Sequence, residues 1–222
     1  MLENETINVK LKDKIIKVKK RTTLEELLTA QDLGNPARIV AANVNNRIRE
    51  LVYVLKNDCE VQFVDLTYED GIRIYIRGLT FIFIRACKEL FPECQVFIEH
   101  SMSKGLYCEV HGDFTLTPSK VKRIERRMRQ IVELDEPFKR LRVTKEEAST
   151  IFKDMGFDDK IEILKYRPEE YVHLYNCGWM TDYLYGYMVP GTGYLNNFEL
   201  LFYLPGIILR HPTVGSNGTI PE

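Results

Sequence analysis

The longest apolar stretch of the chain lies within Ile72 to Cys87, and Arg73, Arg77 and Arg85 interrupt it. Those guanidinium groups exclude a membrane span, which needs roughly 20 predominantly apolar residues. The stretch reads instead as one helix of a globular fold, from about Ile72 to Phe91, closed by Pro92, whose ring cannot continue it.

At 222 residues the chain is longer than one typical domain, so two domains and a tail are expected. The apolar fraction of 45% suffices for real cores. With 31 basic against 32 acidic side chains there is no overall field to draw in polyanions, and nucleic-acid binding would need a local patch. Five cysteines without a C-x-x-C pair suit reduced thiols in a cytoplasmic protein. MLENETINVKLKDK has no apolar signal-peptide core.

The first unit is small and α+β. Ile7 to Leu11 and Ile15 to Val18 flank a turn at Lys12-Asp13-Lys14 and predict a hairpin. Thr23 and Glu26 have the spacing of a capping box ahead of a short helix through Ala30, which Gly34, Asn35 and Pro36 end. Ile39 to Val44, the turn Asn45-Asn46, a stretch from Ile48 to Leu55 and a strand from Glu60 to Val64 follow. This order of hairpin, helix and three strands is what a β-grasp sheet requires. ANVNNRIRELVYVLKNDCEVQFV resembles the closing half of a TGS domain, with Tyr68-Glu69-Asp70-Gly71 at its joint to the next unit.

The second unit begins with the apolar helix. Extended segments at Gln95 to Glu99 and Leu106 to His111 flank a turn at Gly105; read as a plain hairpin loop, the alternative to a ligand or interface element, this turn puts Gly105 at a positive φ. Thr117-Pro118 opens a helix with Val121, Ile124, Met128 and Ile131 on one face. Phe138 to Val143 is a candidate strand. Thr144 and Glu147 form a second capping box ahead of Ala148, Ile151, Phe152 and Met155, with Gly156 at the end. From Val172 onward the chain is aromatic and short-stranded.

ACKELFP, GLYCEV, LTPSKVKRIERRMRQIVE and MVPGTGYLNNFELL resemble the editing domain that follows TGS in threonyl-tRNA synthetase and is also found in alanyl-tRNA synthetase. The resemblance implies an α+β fold: a β-grasp (ubiquitin-like) TGS domain over 1–66 and an editing-like domain over 67–210. HSMSKGLYCE and YGYMVPGTGYLNNFELLFYLPGIILRHP also resemble the N-terminal half of bacterial uridine kinase-like nucleoside kinases. That second resemblance implies a binding or regulatory region whose partner is its own C-terminal kinase domain. Residues 211–222 are then a linker, and ATP and magnesium belong to the absent domain. No G-x-x-x-x-G-K-[S/T] occurs in these residues to cradle nucleotide phosphates. The alternatives are an aminoacyl-tRNA editing deacylase and an RNA-contacting module.

The editing resemblance implies an H-x-x-x-H pair on the helix and a C-x-x-x-H pair on a later loop, for zinc or for a positioned water. In register, those places hold Arg77, Phe81, Leu184 and Met188. None is a nitrogen or thiolate zinc ligand, and a guanidinium repels a cation. A closed or repurposed pocket is therefore expected, with no catalytic, cofactor or metal residue. Cys108-x-x-His111 and His173-x-x-x-Cys177 fit a metal site only loosely, because a strand turns Cys108 and His111 to opposite faces. Arg77, Arg85, His100, Ser103, Lys104 and Tyr107 form a candidate pocket for a small anion, with Trp179, Tyr183, Tyr185 and Tyr187 as a possible further wall. The helix bearing Lys120, Lys122, Arg123, Arg126, Arg127 and Arg129 suggests tRNA, but it lacks interleaved aromatics and has Glu133, Asp135 and Glu136 close by, so tRNA is disfavoured.

Overall fold

The structure, a computed structural model, describes residues 5–31, 39–102 and 104–221. Gly34, Asn35, Pro36 and Ser103 lie outside the described residues.

Strands β1 (Thr6–Leu11) and β2 (Lys14–Lys19) pair antiparallel around a turn in which Lys12 takes a φ of 51°. Helix α1 (Leu24–Ala30) starts at the expected capping box: the Glu26 N–H donates to Thr23 Oγ1 at 3.1 Å, and the Thr23 N–H donates to Glu26 Oε2 at 2.8 Å. Strands β3 (Ile39–Val44) and β4 (Arg47–Glu50) flank Asn45 and Asn46, both at positive φ, which asparagine tolerates. Strand β5 (Cys59–Asp65) lies parallel to β1 and antiparallel to β3, giving the order β2-β1-β5-β3-β4. This is the β-grasp arrangement. Its core includes Val9, Leu24, Leu27, Leu51, Leu55 and Val61. The stretch from Ile48 to Leu55 follows β4 as far as Glu50, after which Leu51 and Leu55 turn inward and Val54 bridges Thr23.

A short turn leads from β5 into helix α2 (Glu69–Leu90), which begins three residues before the expected Ile72. Gly71 is required there. A Cβ at that position would stand 2.0 Å from the Asp65 carbonyl oxygen, so the helix returns directly onto the strand it has just left. Around α2 stand β6 (Gln95–Met102), β7 (Gly105–His111), α3 (Pro118–Glu133), β8 (Lys139–Thr144), α4 (Lys145–Asp154) and α5 (Asp158–Lys165). Strands β9 (Tyr171–Cys177), β10 (Met180–Asp182), β11 (Glu199–Tyr203) and β12 (Gly206–Arg210) complete two sheets, ordered β10-β9-β8 and β11-β12-β7-β6. The fold is α+β throughout.

Helix α3 buries Val121, Ile124, Met128 and Ile131, as its periodicity requires, and Thr117 caps it by accepting from the Lys120 N–H. Burial of side chains of this size contributes about 1.5–3 kcal/mol each. The second capping box, Thr144 with Glu147, opens α4. One expectation fails at the β6–β7 hairpin. Lys104, not Gly105, takes the positive φ (59°), because Gly105 is already extended in β7, paired with Met102 and Arg210. Residues 211–221 form turns tied back to the domain: Asn197 Nδ2 donates to the Gly218 carbonyl at 2.7 Å, and Arg210 reaches the Pro221 carbonyl. Among the described residues, no helix is long and apolar enough to cross a membrane.

Candidate functional site

The i, i+4 pair on α2 divides its labour. Arg77 points into a cleft, while Phe81 is fully buried and meets Phe138 edge-on at 5.2 Å. On the later loop, Leu184 lines the same cleft and Met188 is buried in the core. A guanidinium, a phenyl ring, an isobutyl group and a thioether do not fit a zinc ion. Among the described residues, no group of three or more His, Cys, Asp or Glu is placed to hold a metal. Cys108 is buried while His111 is exposed and bonded to Glu109, so these two diverge as the strand geometry predicts.

The cleft measures about 450 Å³ and is rimmed by Arg73, Arg77, Arg140 and Arg167, against Asp70 and Glu169. Its other wall is Tyr183, Tyr185 and Tyr187. Arginines already lie over these rings, Arg167 at 5.4 Å from Tyr183 and 5.9 Å from Tyr185, Arg140 at 5.2 Å from Tyr187. Tyr185 is 79% exposed, so a flat aromatic face is open to a ligand. Desolvation, with Arg140 and Arg142 nearby, lowers the His173 pKa and favours its neutral form. Burial also lowers the Arg77 pKa, yet a guanidinium remains a cation at neutral pH.

The wall is fixed at the backbone. Arg77 Nη1 donates to the Tyr187 carbonyl at 3.1 Å. The Tyr175 hydroxyl lies 3.2 Å from the Gly186 carbonyl and donates to Glu50, which also accepts from the Met188 N–H at 3.3 Å. Gly186 has a φ of 110°, a conformation that L side chains rarely adopt.

Leu184 also lines a second groove, of about 560 Å³, together with Thr80, Ile84, Lys88, Glu99, Lys160 and Asp182. The Asp182 side chain is fully buried at the end of β10. Its Oδ1 accepts from the Tyr183 N–H at 2.7 Å and lies 3.1 Å from Lys160 Nζ, whereas its Oδ2 has no hydrogen-bond partner. Burial raises the Asp182 pKa above the ordinary 3.8, and Lys160 opposes that rise. A buried carboxylate oxygen without a donor is costly, and a ligand donor would relieve the cost. Asp182 and Lys160 were not among the residues singled out by sequence. The available signal was Asp182 two positions before Leu184.

The expected anion pocket does not assemble. Arg77 is on the cleft, but Arg85, two turns along α2, is buried and ion-paired with Glu89 at 2.9 Å and with Glu136. His100 and Tyr107 face each other at 5.4 Å on the β6–β7 hairpin, and Tyr107 meets Tyr203 at 6.1 Å, away from the cleft lining. Lys104 is at the turn of that hairpin and Ser103 lies outside the described residues. Trp179 bonds Glu89 at 2.8 Å instead of joining the tyrosines. The basic helix is largely engaged within the fold. Lys122 pairs with Glu125, Arg127 with Glu89, and Arg129 with the carbonyls of Asn196 and Phe198, while Arg123 lies 5.8 Å from the Phe91 ring. Tertiary packing thus supplies aromatics to this helix that its own sequence lacks.

No protein-family model matches the chain. It is similar to the N-terminal region of threonyl-tRNA synthetases. It is 32% identical over 181 residues to the threonine–tRNA ligase of Desulforamulus reducens, covering 81% of this chain and 28% of that protein. Identity to the threonine–tRNA ligase of Symbiobacterium thermophilum is 34% over 163 residues, or 73% and 25% of the two chains. For that of Clostridium tetani it is 30% over 197 residues, or 88% and 31%. The chain thus spans less than a third of the length of these relatives. They correct the kinase expectation: a regulatory region of a uridine kinase-like protein, with its own kinase domain as partner, is overturned by relatives named as threonine–tRNA ligases. They also count against the view that tRNA is a disfavoured partner.

Proposed function

We propose that this chain binds the aminoacylated 3′ end of a tRNA, with the RNA strand in the Arg77 cleft and the esterified amino acid in the Asp182 groove. The observation that carries the proposal is the unpartnered Oδ2 of Asp182, buried beside a cleft rimmed with arginines and tyrosines. A single-stranded RNA end asks for cations along its phosphates and aromatic faces for its bases. The amino acid adds an ammonium group, a cluster of donors that complements the Asp182 carboxylate; because Asp182 is fully enclosed, the ammonium reaches Oδ2 by displacing the groove wall. Leu184 borders both cavities, so one ligand can span them. The similarity to threonine–tRNA ligases supports tRNA as the RNA. All five cysteines are free thiols, in keeping with a cytoplasmic setting. With Arg77, Phe81, Leu184 and Met188 at the editing positions, the function is recognition without metal-dependent turnover.

Fluorescence anisotropy with tRNA carrying threonine or serine through a non-hydrolysable 3′ amide, against the same tRNA uncharged, tests this. Charged tRNA is expected to bind about tenfold tighter, the equivalent of about 1.4 kcal/mol. Asp182→Asn should abolish that difference, and Arg167→Glu should weaken both ligands. Equal affinities in the wild type, or no saturable binding at low salt, would overturn the proposal.

A further inference from the structure

We infer that Glu50, on the last position of β4 in the β-grasp unit, is a positioning residue for the cleft of the larger unit. Residues 186–188 carry the wall of that cleft but belong to no strand, so their backbone groups have no ladder to hold them. The partners come from elsewhere. Arg77 of α2 holds the Tyr187 carbonyl, and Glu50 Oε1 receives the Met188 N–H at 3.3 Å. The same carboxylate accepts the hydroxyl of Tyr175, which is 1% exposed and lies against the Gly186 carbonyl.

Two neighbours of Glu50 extend the arrangement. Arg49 Nη1 donates to the Tyr187 hydroxyl at 3.1 Å, and Ile48 lines the cleft itself. Three consecutive residues of one edge strand thus reach three parts of the site: its floor, an aromatic ring and the loop backbone. Met188 is buried, so in the intact protein its N–H depends on the carboxylate for a partner. Without Glu50 the segment keeps the Arg77 bond, the Arg49 bond to the Tyr187 hydroxyl and the Tyr175–Gly186 contact, but the Met188 N–H and the Tyr175 hydroxyl lose their shared acceptor. The β-grasp unit therefore helps to set where Tyr187 stands, and the cleft is a joint product of both units. The effect on ligand affinity rests on the RNA-binding function proposed above; the effect on the loop does not.

The experiment compares full-length wild type, Glu50→Ala, Glu50→Gln and Arg49→Ala by hydrogen–deuterium exchange and by affinity for the amide-linked charged tRNA. In Glu50→Ala, exchange over residues 184–189 should rise at least tenfold while β6 and β7 keep wild-type protection, and Kd should rise about tenfold. Glu50→Gln, which keeps an acceptor oxygen, should restore both. Arg49→Ala should weaken binding while leaving Met188 protected, which keeps the test informative if Glu50→Ala does not fold. Exchange at 184–189 that is unchanged, or raised uniformly across the molecule, overturns the inference, as does loss of loop protection without loss of affinity. If wild type binds no tRNA, the proposed function falls and the exchange comparison alone still decides the role of Glu50.

Discussion

Arg77 donates through Nη1 to the Tyr187 carbonyl, and its guanidinium fills the volume that a side chain on Gly186 would need, with Cζ 2.5 Å from the Cβ position. The editing resemblance implies a shared metal or water between helix and loop at this place. Here an arginine–carbonyl bond ties the two together.

Gly186→Ala should therefore destabilise the fold. The φ of 110° is unfavourable for alanine, at about 1–3 kcal/mol, and the collision with Arg77 adds to it. Urea unfolding of Gly186→Ala and of the double variant with Arg77→Ala separates the two contributions. The double variant should recover the steric part and keep the backbone part.

Arg85 is the hub of a buried ion network. Its Nε meets Glu89 at 2.9 Å, its Nη1 meets Glu136, and Glu89 also accepts from Arg127 and Trp179. Arg85→Ala leaves Glu136 without its cation and Glu89 with only Arg127 and Trp179, a loss of about 3 kcal/mol. Arg85→Lys should recover only part of it, since an ammonium cannot match the guanidinium fork. Because Arg85 is buried, the loss should change little between low and high salt.

His211 is 6% exposed, and burial lowers its pKa from the ordinary 6.5. The unfolded chain then takes up a proton before the folded one does. Stability should be level above about pH 7 and fall as pH drops through 6.5, by at most about 1.4 kcal/mol per pH unit for this group. His211→Gln should flatten that part of a pH series of urea midpoints. His173 shifts the same way, but it is exposed and should contribute less.

Asp182 gives the opposite sign. Its folded pKa is raised, so the unfolded chain ionises first, and stability declines as pH climbs from 3.8 towards the folded value. The stability of Asp182→Asn relative to wild type should grow across that window and level off above it. A constant difference from pH 3 to 7 would mean that the carboxylate is not held in a desolvated place.

Much of the fold is legible because its signals are local. Thr23 with Glu26, Thr144 with Glu147, Thr117 before Pro118 and the stripe from Val121 to Ile131 each fix an element without help from distant residues. Helix α5 is not legible in this way. Its sequence DDKIEILK buries only Leu164, and the residue before it, Phe157, is placed by tertiary contact with Phe152. The site divides similarly. That Arg77, Phe81, Leu184 and Met188 are not zinc ligands can be read directly, but Arg77 and Arg85 look equivalent along α2 until Glu89 and Glu136 claim one of them. Burial of one oxygen of Asp182 is a property of packed neighbours and has no one-dimensional trace.

The middle strand of the small sheet is the last of its five to be made. β5 lies between β1 and β3, so a nascent chain that ends before Cys59 holds two hairpins whose facing edges have no partner. Such edges invite pairing with other chains. On the ribosome the first unit can close only once Asp65 has emerged, and Gly71 then brings the start of α2 straight back against it. The interval between those two hairpins and the arrival of β5 therefore leaves two strand edges open, and a pause in translation between Val44 and Cys59 would prolong it.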